Sequence, residues 1–125
     1  MAKMIDVRTE IQRLLKTVAS RVYFEVATDI TVFPYVIFNF PNSVDTGHLE
    51  NFVLDIDIWD DDQNTTVIET LCESVDSLLH RKNVVISDSV GFVIYRDNRI
   101  NIHEDDDRIK RRKYVYQCRT YGIFS

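Results

Sequence analysis

Phe52, Leu54, Ile56 and Ile58 alternate with Val53, Asp55, Asp57 and Trp59. A period of two puts the first set on one face of an extended segment and the second, largely acidic, on the other, the pattern of a half-buried β-strand. After Asp60-Asp61-Asp62-Gln63-Asn64 the period changes. Val67, Ile68, Leu71, Cys72, Val75, Leu78 and Leu79 recur at spacings of three and four, which is the apolar stripe of a helix. Asn64 or Thr65 suits its N-cap, and Glu69 lies in its first turns, where a carboxylate meets the positive helix end. Burying each stripe residue is worth roughly 1.5–3 kcal/mol, so the stripe supplies on the order of 10–20 kcal/mol before chain entropy is subtracted. The stretch from Phe52 to His80 is therefore the expected centre of the fold.

Earlier in the chain, Met4, Val7, Ile11, Leu14, Leu15 and Val18 mark one face of a first helix, expected over residues 4–19. Arg21 to Val26 reads as a short strand and Ala27 to Val32 as a loop. Pro34 is tolerable at a strand's start, ahead of a strong strand from Tyr35 to Phe40. Val44 to His48 bridges to the central strand as an extended hairpin tip, so Tyr35–Phe40 and Leu49–Trp59 form an expected antiparallel pair. Beyond the second helix, Val84 to Ile86 is a short apolar run and Ser87 to Gly91 a turn. Phe92–Tyr95 and Ile100–Ile102 frame a strand interrupted by Arg96-Asp97-Asn98-Arg99. The last strand is expected from Lys113 to Phe124. This order predicts an α+β fold: a mostly antiparallel sheet with two main helices packed on one face. A split βαβ arrangement is the alternative.

At 125 residues the chain is expected to form a single domain spanning residues 1–125. Few glycines and prolines, 3 and 2, argue against linkers. The net charge of −5 argues against general binding of nucleic acid through phosphate neutralisation. No apolar run reaches the roughly 20 residues that span a bilayer, and the N-terminus carries no secretory h-region, so no membrane partner is expected. Cys72 and Cys118 read as two buried thiols rather than a disulfide framework.

Two charged clusters invite a chemical reading. Asp60-Asp61-Asp62 at a strand end has the residue type that holds a divalent cation, but an acidic turn before a helix N-terminus is accounted for by dipole complementarity. His103-Glu104-Asp105-Asp106-Asp107 is followed by Arg108, Lys110, Arg111, Arg112 and Lys113. Consecutive carboxylates splay apart on a loop instead of converging on a metal, so the segment reads as a charged hairpin connection or an electrostatic docking arm. The three histidines have no ligand spacing. GxSxG, HExxH, P-loop and GxGxxG motifs do not occur. No catalytic residue, metal ligand or cofactor is assigned, and the chain reads as a non-enzyme. Trp59, Tyr95, Tyr116 and Tyr121 are candidates for partial exposure, and Trp, Tyr and Arg favour protein contacts.

One resemblance follows from the order of these features. Tyr23, then Phe33-Pro34-Tyr35-Val36-Ile37-Phe38, an alternating strand ending Ile58-Trp59-Asp60, a helix ending Leu78-Leu79-His80, and a charged loop with Arg108, Arg111 and Arg112 leading into Tyr114 together resemble the tail-completion (tail-terminator, head–tail joining) proteins of long, non-contractile-tailed bacteriophages and prophages. The resemblance implies a structural subunit of the virion at the tail–head junction, made in the bacterial host cytoplasm. It implies a homo-hexameric ring that caps the tail tube, ends its polymerisation and offers a surface to the head connector or stopper protein. DNA would pass through that ring without tight binding. The expected interface residues are Asp45, His48, Trp59, Asp60, Asp61, Asp62, Glu104, Asp105, Asp106, Asp107, Arg108, Arg111 and Arg112, with Arg111 and Arg112 meeting acids of a neighbouring copy. Another neck component, stopper or adaptor, is the first alternative. A metal-dependent hydrolase using Asp60–Asp62 or Asp105–Asp107 is the second.

Overall fold

The structure is a computed structural model and describes residues 4–26, 32–41, 51–87, 90–104, 106 and 108–122. Its elements are α1 (Met4–Leu15), β1 (Val22–Phe24), β2 (Tyr35–Asn39), β3 (Asn51–Asp60), α2 (Thr66–Leu79), β4 (Asn83–Ser87), β5 (Val90–His103) and β6 (Lys110–Tyr121). The strands form a six-stranded sheet in the order β1-β2-β3-β6-β5-β4. Only β1 and β2 pair in parallel among the described strands, so the sheet is mostly antiparallel within an α+β fold. β3 is its centre, flanked by β2 and β6, with Val36 opposite Ile58 and Tyr114 opposite Ile56.

The period-two reading of β3 holds. Phe52, Leu54, Ile56 and Ile58 are buried in one core cluster with Phe38, Ile68, Cys72, Val75, Leu79, Phe92 and Ile94. Val7, Ile11, Leu14 and Leu15 of α1 join the same cluster. α1 packs against β1 and also against β4, the strands at the two ends of the order, so the sheet curls around it. α2 lies against β3 and β5. Cys72 and Cys118 are buried free thiols, and burial pushes the Cys72 thiol up to about 12, which leaves it protonated and unreactive at neutral pH.

Three expected boundaries are corrected. α1 ends at Leu15, not residue 19: Thr17 N–H bonds to Leu14 O at 3.0 Å and the Thr17 hydroxyl donates to the same carbonyl at 2.6 Å, closing the helix in a tight turn. β5 is not interrupted at Arg96–Arg99. It runs unbroken from Val90 to His103, and a bulge between Arg96 and Asn98 absorbs the extra residue. β6 begins at Lys110 rather than Lys113, because its long basic side chains find acids on both faces of the sheet. The hairpin tip Val44–His48 lies outside the described residues.

Candidate assembly surface

The face of β3 opposite the core carries Asp55, Asp57 and Trp59, and β6 places Val115, Lys113 and Arg111 directly across from them. Arg111 Nε donates to Asp57 Oδ1 at 2.9 Å and its Nη1 to Glu104 Oε1 at 3.3 Å. The same guanidinium lies 4.6 Å from the Trp59 ring centroid. Lys113 Nζ reaches Asp55 at 3.3 Å and Asp57 at 3.7 Å. Tyr35 stacks on Trp59 at 5.9 Å, and burial, then the charge of Glu104, pushes its hydroxyl up. The acidic face expected to be solvated is therefore a cross-strand ladder of alternating sign. Asp57 is only 7% exposed, and Arg111 and Lys113 offset its desolvation.

The core side of the same hairpin holds a second polar network. The bulge gives Arg96 and Arg99 the same facing despite their odd spacing, with Tyr116 opposite the first and Tyr114 opposite the second. Glu69 and Asp76 stand two turns apart on α2, on the side turned to the sheet. Arg99 Nη2 donates to Glu69 Oε2 at 2.6 Å and Arg112 Nε to Glu69 Oε1 at 2.8 Å. Arg96 Nη1 donates to Asp76 Oδ2 at 2.6 Å, and the Tyr116 hydroxyl to Asp76 Oδ1 at 2.9 Å. Burial raises the Glu69 pKa, but the Arg112 hydrogen bond and the charge of Arg99 outweigh it, and the net shift is downward. His80, at the end of α2, accepts the Arg96 N–H on Nδ1 at 3.0 Å.

Sequence reasoning missed this clamp. The residues Arg-Asp-Asn-Arg have turn-forming composition, which hid the bulge. The available signal was the acid pair Glu69 and Asp76, seven residues apart beside the buried stripe of α2.

Several of the expected interface residues gather at one end of the sheet: Trp59 pairs with Arg111, Arg111 reaches Glu104, and Asp61, Asp106 and Arg108 line one depression. Asp60 is 3% exposed; its Oδ1 accepts the Asp61 N–H at 2.9 Å, its Oδ2 is buried without a partner, and burial raises its pKa. Asp61 and Asp62 are exposed. Thr65 holds the N-cap position of α2 without a side-chain cap bond, and Asn64 Oδ1 accepts the Thr66 N–H at 3.0 Å instead. Asp106 binds Arg108 at 2.9 Å on the exposed turn. Arg111 and Arg112, expected to reach a neighbour's acids, are engaged within the chain by Asp57, Glu104 and Glu69. Tyr116 is fully buried, whereas Tyr95 and Tyr121 are exposed. Asp45, His48, Asp105 and Asp107 lie outside the described residues. Among the described residues, no three His, Cys, Asp or Glu side chains converge to hold a metal ion.

The family model described as tail completion protein gp17 matches residues 7–121. The chain belongs to this tail completion family. Its fold is shared by solved structures of low identity. A chain from the virion of a native gene transfer agent particle superposes with a TM-score of 0.72 at 13% identity, over 93% of this chain and 95% of that one. A second solved structure matches with a TM-score of 0.70 at 11% identity, over 98% of this chain and 97% of that one. No curated protein matches. In this tail completion protein, Arg96, Arg99 and Arg112 tie β5 and β6 to α2 through Asp76 and Glu69.

Proposed function

We propose that this protein is a structural virion subunit that closes the phage tail. As a homo-hexameric ring it caps the last ring of tail tube protein, stops polymerisation, and presents a face to the head connector or stopper protein at the tail–head junction. Residues 1–125 act as one domain, with both helices on one face of the sheet and the opposite face free for contacts. The observation that carries this reading is the family match across residues 7–121. The likeness to a chain from a gene transfer agent virion supports a place in such a particle.

No chemical step is assigned to the chain. Its work is association, and a ring needs two different patches on each subunit. The charge-balanced ladder of Asp55, Asp57, Arg111 and Lys113 suits a ring through which DNA passes, because its two cations are already paired with carboxylates. The purified protein should therefore cause no salt-dependent shift of duplex DNA.

Deleting the gene tests the role directly. The expected result is tails of abnormal, extended length seen by electron microscopy. Tails of normal length on heads that leak DNA would instead assign the chain to a stopper or adaptor.

A further inference from the structure

Four of the seven exposed large hydrophobic residues among the described residues lie on one face of the sheet: Val85, Tyr95, Ile100 and Tyr121, at 60%, 40%, 40% and 37% exposure. Register strings them along the outer face of β4, β5 and β6. Val85, Gly91 and Tyr121 form one cross-strand row, Tyr95 is four residues along from Gly91, and Ile100 pairs with Lys113 of the outward ladder. The Tyr121 ring lies over Gly91, where an added Cβ would stand 2.5 Å from its hydroxyl, and that hydroxyl donates to Asn83 at 2.7 Å. Tyr121 is therefore fixed, while the Tyr95 hydroxyl has no partner among the described residues. Such a patch on a sheet marks a contact surface.

Elsewhere on the chain lies an apolar groove of about 400 Å³ between the end of α1 and α2, lined by Val18, Ala19, Pro34, Val67, Thr70 and Leu71 among others. Its residues are mostly small, which leaves room for an aromatic ring. We propose that the Tyr95 patch of one copy docks into this groove of the next copy. The inference rests on the ring reading above and names the two surfaces that would close the ring.

Charge selects a second copy as the occupant. The patch is bordered by exposed Arg119 on β6 and by exposed Arg81 and Lys82 leading into β4, while the acid beside Tyr95, Asp97, accepts a hydrogen bond from Gln117 at 3.2 Å. The α2 bank of the groove carries exposed Glu73, with exposed Asp61 and Asp62 just ahead of the helix. None of the three bases, nor Glu73, Asp61 or Asp62, is in an ion pair among the described residues, unlike the ladder and the clamp. The α1 bank holds Lys16 and Arg21, so the complementarity lies on the α2 side. Basic patch and acidic bank sit on different parts of one subunit, which is what a heterologous contact requires.

The test uses the full chain. Thr70→Cys and Tyr95→Cys variants are mixed under mild oxidation; the native thiols are buried. The expected product is an interchain disulfide between the two variants that neither forms alone. Glu73→Arg and Arg119→Glu should each weaken self-association at least tenfold, and combining them should restore it, with circular dichroism showing that every variant is folded. Closed rings that give no such disulfide, and that ignore both reversals, would overturn these surfaces and leave the ring standing. Failure of the native chain to self-associate at any concentration, or on tail ends, would overturn both.

Discussion

From Val90 to Tyr95, β5 runs beside the apolar core, with Phe92 and Ile94 fully buried. From Arg96 to His103 the same strand is exposed along most of its length, and its side chains reach α2 through charge. β6 shows the same change, from Cys118 and Tyr116 in the core to Arg111, Arg112 and Lys113 among carboxylates. One hairpin is thus held at its two ends by different physics. Burial of apolar area is indifferent to salt and to mild acid, whereas ion pairs weaken with both. The charged end is the part of the hairpin whose placement conditions and partners can tune.

The difference can be broken from either side. Phe92→Ala should cost about 3–5 kcal/mol in urea unfolding, by lost burial and a residual cavity, and that cost should be the same in low and high salt. Arg111→Ala leaves the nearly buried Asp57 with only Lys113, 3.7 Å away, and removes the cover of Trp59; it should cost about 2 kcal/mol, less than a fully buried pair because Arg111 is partly exposed and Lys113 remains. Trp59 fluorescence should report the altered environment in the folded state.

Glu69→Gln should cost about 0.5–1 kcal/mol at neutral pH, since Glu69 is partly solvated. The sign of its pH dependence follows from the depressed pKa. Glu69 is deprotonated more readily folded than unfolded, so its contribution is complete above its ordinary value of 4.5 and fades as pH falls through the lower folded value. The native chain should lose that increment between pH 5 and its acid transition, while Glu69→Gln should show a shallower slope there. Arg108→Ala is the smallest change. Its pair with Asp106 is fully exposed, so unfolding should be unaltered within error.

The core half was legible in the sequence because its periods are local. Alternation in Phe52–Ile58 and the stripe of α2 needed no knowledge of the tertiary fold; the alternation stands as read, and of the stripe Ile68, Cys72, Val75 and Leu79 are buried while Val67 is exposed. The charged half was not legible for the same reason turned round. Asp57 pairs with a residue 54 positions away and Glu69 with one 43 away, so the block Lys110–Lys113 looked like solvated loop when read alone. Tyr116 and Tyr95 were indistinguishable as aromatics in strands; strand pairing decided that the first lies under α2 and the second faces outward. The bulge then placed Arg99 where simple alternation from Arg96 would not.

The central claim is that this chain acts as an assembled cap between tail and head. Electron cryo-microscopy of the tail–head junction in intact particles, with the chain labelled by a bound antibody fragment, tests it most directly. The account predicts one closed ring of six copies seated on the last tube ring and absent from the rest of the tube. Label distributed along the tube, or none at the junction, would contradict it.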